Sequence, residues 1–478
     1  MQIVKNFLYN ISYQLLVILL PLITVPYVSG ILGSKGIGDY AFTSANTQYF
    51  ILFGMIGITL YGNREIAFVR DNKEKLKETF FSIYVLQLIT TSIASILFLV
   101  FVFCFAPKNY FNIYLIQGLN IIAAMLDISW LLIGLEQFKK TVFRNTIVKL
   151  VSLASIFIFV KNPEDTIIYT LILSLSNLLG NLSFWLYIPR LFGFKNIRLQ
   201  DISLHFRASL ALFVPQIAIQ VYLLLDRTLL GILSNTNEVG YYENSQKLVK
   251  ITLTIATAIG TVMMPKISNT IAAGEMKKVK YYIRNSFFFC SALAIPLMFG
   301  LMGIVSELSP WFFTDEFIGI DKLIFVSALI ILPISWSNVI GIQLMIPLNK
   351  VKEFTISVTI GAIVNFTLNL FLIKKFGALG ACLSTVCAEF SVTFIQLYVI
   401  REIISLKQLI APTLMFFPGA IVMFIILRMI GNYLASGFTT NIIQVFLGAG
   451  VYFTFTLFVY RIIYKDSFIN YVKGLIKS

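Results

Sequence analysis

Charge is scarce in this sequence. Asp, Glu, Lys and Arg make up 12% of its 478 residues, where a water-soluble domain carries about 25%. With 58% hydrophobic residues and a mean hydropathy of +0.86, so few charges cannot cover an exterior that faces water. Lipid must be the solvent for most of the chain. Histidine is almost missing: His205 stands alone, in a polar connector where it is read as solvated. The four cysteines (Cys104, Cys290, Cys382 and Cys387) all sit in apolar runs without metal-ligand spacing, so they are read as packing residues. Neither a disulfide framework nor a metal centre is implied. No phosphate-cradling GxxxxGK[ST] loop occurs, which excludes ATP hydrolysis by that route. Long polar connectors are missing too, leaving no room for a soluble catalytic domain. No small-residue cleavage site follows the first apolar stretch, which is expected to be retained as a helix.

What is present is a succession of apolar runs. About 20 apolar residues are needed to cross a ~30 Å hydrocarbon core. On that rule spans are expected near 7–29, 40–62, 80–104, 112–134, 142–160, 166–188, 208–231, 246–264, 286–306, 323–346, 353–373, 378–400, 411–431 and 440–460. Basic residues outnumber acidic ones 37 to 22, a net charge of +15. Such a surplus first suggests nucleic acid, but these cations lie between hydrophobic spans, which points to a bilayer surface and no nucleic acid. Counted with the adjoining span ends, 27 Lys and Arg fall on the side of the N-terminal tail and seven on the other. Cytoplasmic loops carry the excess of Lys and Arg. Both termini are therefore expected in the cytoplasm, with an even number of spans.

The two halves share a weak match. Gly30-Ile31-Leu32 leads through a polar turn to Gly38 and Tyr40, and Gly231-Ile232-Leu233 leads through another to Gly240 and Tyr241. Proline recurs as well, at Pro21 and Pro26 in the first span and Pro215 in the seventh. Parallel six-helix lobes would generate such a match, as internal repeats do in secondary transporters. The plain alternative is chance, since Gly-Ile-Leu is common in so apolar a chain.

A charge at mid-bilayer costs ~2.5–3.5 kcal/mol on insertion scales, so charges within spans are functional candidates. Glu389 is the deepest. Asp226 and Arg227 lie near the outer end of the seventh span and Lys250 near that of the eighth; Asp127 and Glu136 lie toward the inner end of the fourth. Cations in a water-filled cavity would meet an anionic substrate, whereas Arg227, Lys250 and Arg428 also lie close enough to an interface to snorkel. Asp226 has the plainer reading of an interhelical ion pair. Three amide pairs recur at i, i+4: Asn177 with Asn181, Gln216 with Gln220, and Asn365 with Asn369. They could line a cavity and bind sugar hydroxyls, or equally hold helices together.

Several segments resemble one family. They are Pro21-Leu22-Ile23-Thr24-Val25-Pro26-Tyr27 with Leu32-Gly33 and Gly36-Ile37-Gly38; Tyr61-Gly62-Asn63-Arg64-Glu65; Asp127-Ile128-Ser129-Trp130 with Gly134-Leu135-Glu136; and Arg144-Asn145. In the second half they are Asp226-Arg227 through Leu230-Gly231, Val239-Gly240-Tyr241-Tyr242, and Asn365 and Asn369 with Gly377-Ala378-Leu379-Gly380-Ala381. In order and spacing these resemble the Wzx-type polysaccharide repeat-unit flippases of the multidrug, oligosaccharidyl-lipid and polysaccharide exporter superfamily. Two departures are Leu131-Leu132-Ile133, where relatives often have aromatic and Gln residues, and Ser29-Gly30, where many place an Arg.

The resemblance implies an all-α integral membrane protein of about fourteen spans. Two six-helix lobes of the MATE type would comprise residues 1–207 and 208–400, with two peripheral helices and a tail in 401–478. It implies transport of an undecaprenyl-diphosphate oligosaccharide from inner to outer leaflet of the bacterial cytoplasmic membrane, without a cofactor. A polysaccharide polymerase and a chain-length regulator would be partners. Arg227, Lys250, Asp226, Asn177, Asn181, Gln216, Asn365 and Asn369 would bind substrate. Glu389 and Asp127 would be candidates for ion coupling, and Arg64, Glu136 and Arg144 for a cytoplasmic gate. The alternatives are a flippase for another polyprenyl-linked precursor (teichoic acid or lipid II) and a MATE-type drug or cation antiporter. A membrane polymerase or ligase would need a large outer loop, and connectors 232–245 and 307–322 are too short for one.

Overall fold

The structure, a computed structural model, describes residues 2–188 and 199–464. Lys465, Lys473 and Lys477 of the expected C-terminal tail lie outside the described residues, as does the side chain of Gln216. The described residues are helical, with no strand among them. Ten helices among them are long and apolar enough to cross a membrane, or eleven if a bent pair over 236–272 is one span. They coincide with the expected spans three to six and eight to fourteen. The first, second and seventh expected spans fall on α1 (Gln2–Met55), α2 (Ile58–Val69) and α8 (Leu199–Leu233), so the expectation of about fourteen is compatible with the fold. The chain is a multi-pass membrane protein.

Tight packing divides the chain into two compact units, 1–240 and 241–478. The first contains α1, α2, α3 (Lys73–Cys104), α4 (Phe111–Met125), α5 (Ser129–Gly134), α6 (Phe138–Phe159), α7 (Thr166–Phe184) and α8. One core cluster in it gathers Phe80, Ile83, Tyr61, Trp130 and Phe184. In α1 the polar turn expected between the first two spans is no loop: the helix kinks at Gly33 (φ 62°, ψ −173°) and resumes at once. Glycine lacks the Cβ that makes this backbone region costly to other residues. Its second expected span is interrupted in turn at Ile56 and Gly57, both with positive φ, before α2. α3 starts where Asn72 can cap it, its Oδ1 accepting the N–H groups of Glu74 and Lys75 at 3.1 Å.

The α6–α7 connection depends on one carboxylate. Asp165 Oδ2 accepts the backbone N–H groups of Lys161 and Asn162, both at 2.8 Å, which holds its carboxyl below the usual carboxylate range. A group depressed on folding contributes stability above its unfolded pKa and loses it as pH falls through the folded value. The stability gap between the parent and Asp165→Ala is therefore expected to be present at pH 6 and to close as pH drops below about 4. Thermal unfolding of the purified protein across that range checks it; a gap independent of pH would rule out the carboxylate as its source.

The second unit contains most of α9 (Thr236–Ala272), then α10 (Met276–Phe313), α11 (Ile320–Ala328) and α12 (Ile331–Ser337), followed by a π-helical stretch over Asn338–Met345. After these come α13 (Val351–Phe376), α14 (Ala378–Ile400), α15 (Leu406–Ile410), α16 (Phe416–Tyr433) and α17 (Phe438–Tyr464). Ile267, Ile283, Phe287, Ile340, Leu344 and Ile400 form its core. α13 and α14 make a hairpin, while α16 and α17 pack on α10.

Candidate functional site

The fourth span is broken. α4 stops at Met125 and α5 starts at Ser129, so the carbonyls around the break lose their helical partners. Each unsatisfied group costs several kcal/mol inside a bilayer. The fully buried amide of Gln87 answers most of that deficit: its Nε2 donates to the carbonyls of Ala124 (2.8 Å), Met125 (3.3 Å) and Asp127 (2.8 Å). Trp130 Nε1 donates to Gln87 Oε1 at 3.0 Å, and Trp185 Nε1 to the Leu126 carbonyl at 2.9 Å. Asp127 Oδ1 accepts the N–H of Ser129, the first residue of α5, at 2.8 Å. The break is thus a built feature, of the kind that places half-helix ends in transporter binding sites.

A ladder of side chains runs from the break along α4, α6 and α7. Asn177 donates to Asn120 Oδ1 (2.9 Å), and Asn120 donates to Gln117 Oε1 (2.8 Å) and Ser174 Oγ (2.9 Å). Asn181 donates to the Ala123 carbonyl at 2.8 Å and accepts from Arg144 Nη2 at 2.7 Å. Arg144 Nε also donates to the Gly180 carbonyl at 2.6 Å, Nη1 donates to Asn145 Oδ1, and the guanidinium covers the Phe184 ring. Its charge acts on the Asp127 carboxylate. Four expected residues (Asn177, Asn181, Asp127 and Arg144) therefore meet in one place, with Asn177 exposed at its edge. Such a surface can hydrogen-bond hydroxyls and place one cation beside them.

The other expected residues are distributed. Asp226, buried, and Arg227 lie on α8 close enough to act on the Tyr49 phenol. Thr228 beside them donates to Asn46 Oδ1 at 3.0 Å, and Asn46 donates to Tyr114 Oη at 2.7 Å. Of the gate candidates, Arg64 pairs with Glu65 at 3.1 Å and Glu136 with Arg70 at 2.6 Å, while Arg144 holds the α7 amides. In the second unit Asn365 and Asn369 are fully buried and bonded to each other at 3.0 Å; Glu389 on α14 is half-buried and Lys250 on α9 exposed. His205 is not simply solvated: its Nδ1 shares a hydrogen bond with Tyr61 Oη at 2.7 Å, because α8 starts early enough to bring it against α2.

Comparison with known proteins decides the family. A family model described as a polysaccharide biosynthesis protein matches residues 3–271. The chain belongs to that family. It is 26% identical over 413 residues to the "Putative O-antigen transporter" of Escherichia coli (strain K12), covering 83% of this chain and 96% of that one. The "Probable low-salt glycan biosynthesis flippase Agl15" of Haloferax volcanii is 27% identical over 59% of this chain and 58% of its own length. Among solved structures, a lipid II flippase MurJ superposes with a TM-score of 0.77 at 16% identity, covering 95% of this chain and 99% of that one. A multidrug resistance MATE transporter of the MOP superfamily superposes at 0.60 with 13% identity, over 80% and 94%. The superfamily resemblance seen in the motifs therefore holds for the fold.

For this family member, sequence reasoning missed Gln87, Gln117, Asn120, Asn46 and the Glu307 cluster. Gln117 and Asn120 had a signal, amides three apart on an otherwise apolar α4. Glu307, 6% exposed, accepts from Gln444 Nε2 at 3.0 Å and lies 3.9 Å from Arg428, which also bonds Ser306 Oγ. Arg428 of α16 is thus anchored to α10, and Gln444 of α17 bonds the same carboxylate. That pairing joins residues 121 apart and has no local sequence signature.

Proposed function

We propose that this chain moves undecaprenyl-diphosphate-linked oligosaccharide repeat units from the inner to the outer leaflet by alternating access, supplying capsule, exopolysaccharide or O-antigen assembly. The observation that carries the reading is the satisfied break in the fourth span, with its amide ladder and Arg144. A sugar diphosphate cannot cross hydrocarbon unaided. A polar surface inside the protein replaces its hydration while the polyprenyl tail stays in lipid. The names of the curated relatives, an O-antigen transporter and a glycan biosynthesis flippase, support the same substrate class.

In this reading residues 1–207 and 208–400 are the two moving lobes, and 401–478 is peripheral. Asn177, Asn181, Asp226 and Gln216 contact the sugars, and Arg227 and Lys250 offset the diphosphate charge. We assign the buried Asn365 and Asn369 to the polar seam of α13. Asp127 and Glu389 are the sites of ion coupling, and Arg64, Glu136 and Arg144 belong to the cytoplasmic gate. The protein resides in the bacterial plasma membrane with both termini cytoplasmic, and hands product to a polymerase and its chain-length regulator.

A deletion strain complemented with Arg227→Ala or Lys250→Ala tests the reading. At normal expression, surface polymer is expected to fall at least tenfold while intact lipid-linked repeat units accumulate. A deletion strain that makes normal polymer, with no trapped lipid intermediate, overturns the reading and moves the drug-antiporter alternative forward.

A further inference from the structure

The second unit carries a feature that transport does not use. Lys277, Lys280 and Arg284 are spaced three and four apart at the start of α10, so they share one helix face, and all three are exposed. They face the segment 403–408. Arg284 Nη1 donates to Gln408 Oε1 at 3.3 Å, which ties the two elements together. Two cavities meet at this bond. One, of about 400 Å³, is lined by Lys277, Lys280, Arg284, Ser405 and Gln408 with Ile403 and Ile404. The other, of about 360 Å³, shares Arg284 and Gln408 and is lined further by Tyr281, Asn285, Phe288, Leu409, Pro412 and Tyr460. Among the described residues no carboxylate lines either cavity. The nearby Glu275 is engaged elsewhere, with Lys278 at 2.7 Å.

We propose that these adjoining cavities bind a phospholipid with an anionic headgroup, its phosphate among Lys277, Lys280 and Arg284 and the start of a chain along Phe288, Leu409 and Pro412. The orientation read from the loop charges places the site at the cytoplasmic leaflet, where anionic lipids attract basic clusters. Cations on one side of the shared Arg284–Gln408 pair and a mostly apolar lining on the other match an amphiphile. A free anion would fill only the first cavity. Basic pockets between helices at this depth are suited to such headgroups.

The full-length protein, purified in neutral detergent, is titrated with phosphatidylglycerol or phosphatidylcholine, and lipid binding is followed by native mass spectrometry and by thermal unfolding. Phosphatidylglycerol is expected to bind and stabilise, and phosphatidylcholine to do neither. In Lys277→Gln/Lys280→Gln/Arg284→Gln the half-saturating concentration should rise at least tenfold, since each cation near an anionic surface is worth roughly fivefold. Lys73→Gln/Lys75→Gln/Lys77→Gln, which removes the same charge from the first unit, should leave it unchanged. Should the triple variant fail to fold, Lys280→Gln alone is expected to weaken binding about fivefold. Equal phosphatidylglycerol binding by parent and site variant overturns the proposal. So does millimolar inorganic phosphate that stabilises the parent as well as the lipid does, which would make this a simple anion site. Neither result touches the transport reading, because no readout depends on transport.

Discussion

Arg144→Ala is expected to abolish surface polymer, and Arg144→Lys to restore only a small part of it. The guanidinium makes three donor contacts, to Asn181, Gly180 and Asn145, while its charge acts on Asp127. Hydrogen bonds involving a charged group are worth about 1.5–3 kcal/mol each. Alanine leaves the Gly180 carbonyl and the Asn181 amide oxygen without that donor and removes the cation from the amide ladder. Lysine keeps the charge but cannot reproduce the planar fork that reaches several acceptors at once. At about 1.4 kcal/mol per factor of ten, losing even one such bond from a transport intermediate slows the cycle tenfold or more. Polymer and lipid-linked repeat units would be quantified in a complemented deletion strain, with membrane abundance measured in parallel. Full rescue by lysine would reduce Arg144 to a point charge and remove the amide ladder from the mechanism.

Gly38→Ala and Gly240→Ala are each expected to prevent accumulation of folded protein. A Cβ on Gly38 would overlap the carbonyl oxygen of Thr236 and reach the Gly240 nitrogen at 3.0 Å. A Cβ on Gly240 would overlap the Ser34 carbonyl and reach the Gly38 nitrogen at 3.2 Å. Overpacking a core commonly costs about 1–3 kcal/mol when side chains can shift. Here the obstacle on both sides is helical backbone, which cannot rotate away, so the cost should lie at or above the top of that range. Gly437→Ala is the control, because no atom of the described residues lies within 4 Å of a Cβ there. Fluorescence-detected gel filtration after a temperature ramp would read the folded fraction. Parent-like stability in both tight variants would mean that this contact is not maintained in the membrane.

These two glycines are also the positions that the weak internal match aligns, each following a Gly-Ile-Leu and a polar turn. The sequence singled them out without revealing that they meet. The amide pairs behaved in two ways. Asn177 and Asn181 reach across to α4 and α6, whereas Asn365 and Asn369 bond along their own helix in full burial. Identical i, i+4 spacing could not separate these outcomes, because spacing specifies a helix face and says nothing of what packs against it.

The break after Met125 illustrates the same limit. Residues 112–134 read as one apolar span, since hydropathy measures the cost of side chains in lipid and is blind to backbone partners. The break is satisfied because Gln87, Asn181 and Trp185 arrive from α3, α7 and the turn after it and donate to the carbonyls around it. In the second unit, Glu307 and Arg428 gave no warning of each other for the same reason.

By itself the sequence determined that lipid is the solvent, that the chain is helical and where most spans run, and, through its motifs, which family it joins. Those properties follow from side-chain transfer energies and short-range order, which are additive along a chain. Tertiary structure alone decided where a span breaks, which amides face a partner and which cation meets which carboxylate. Those depend on hydrogen bonds between residues far apart in sequence, and such bonds form only once helices are packed.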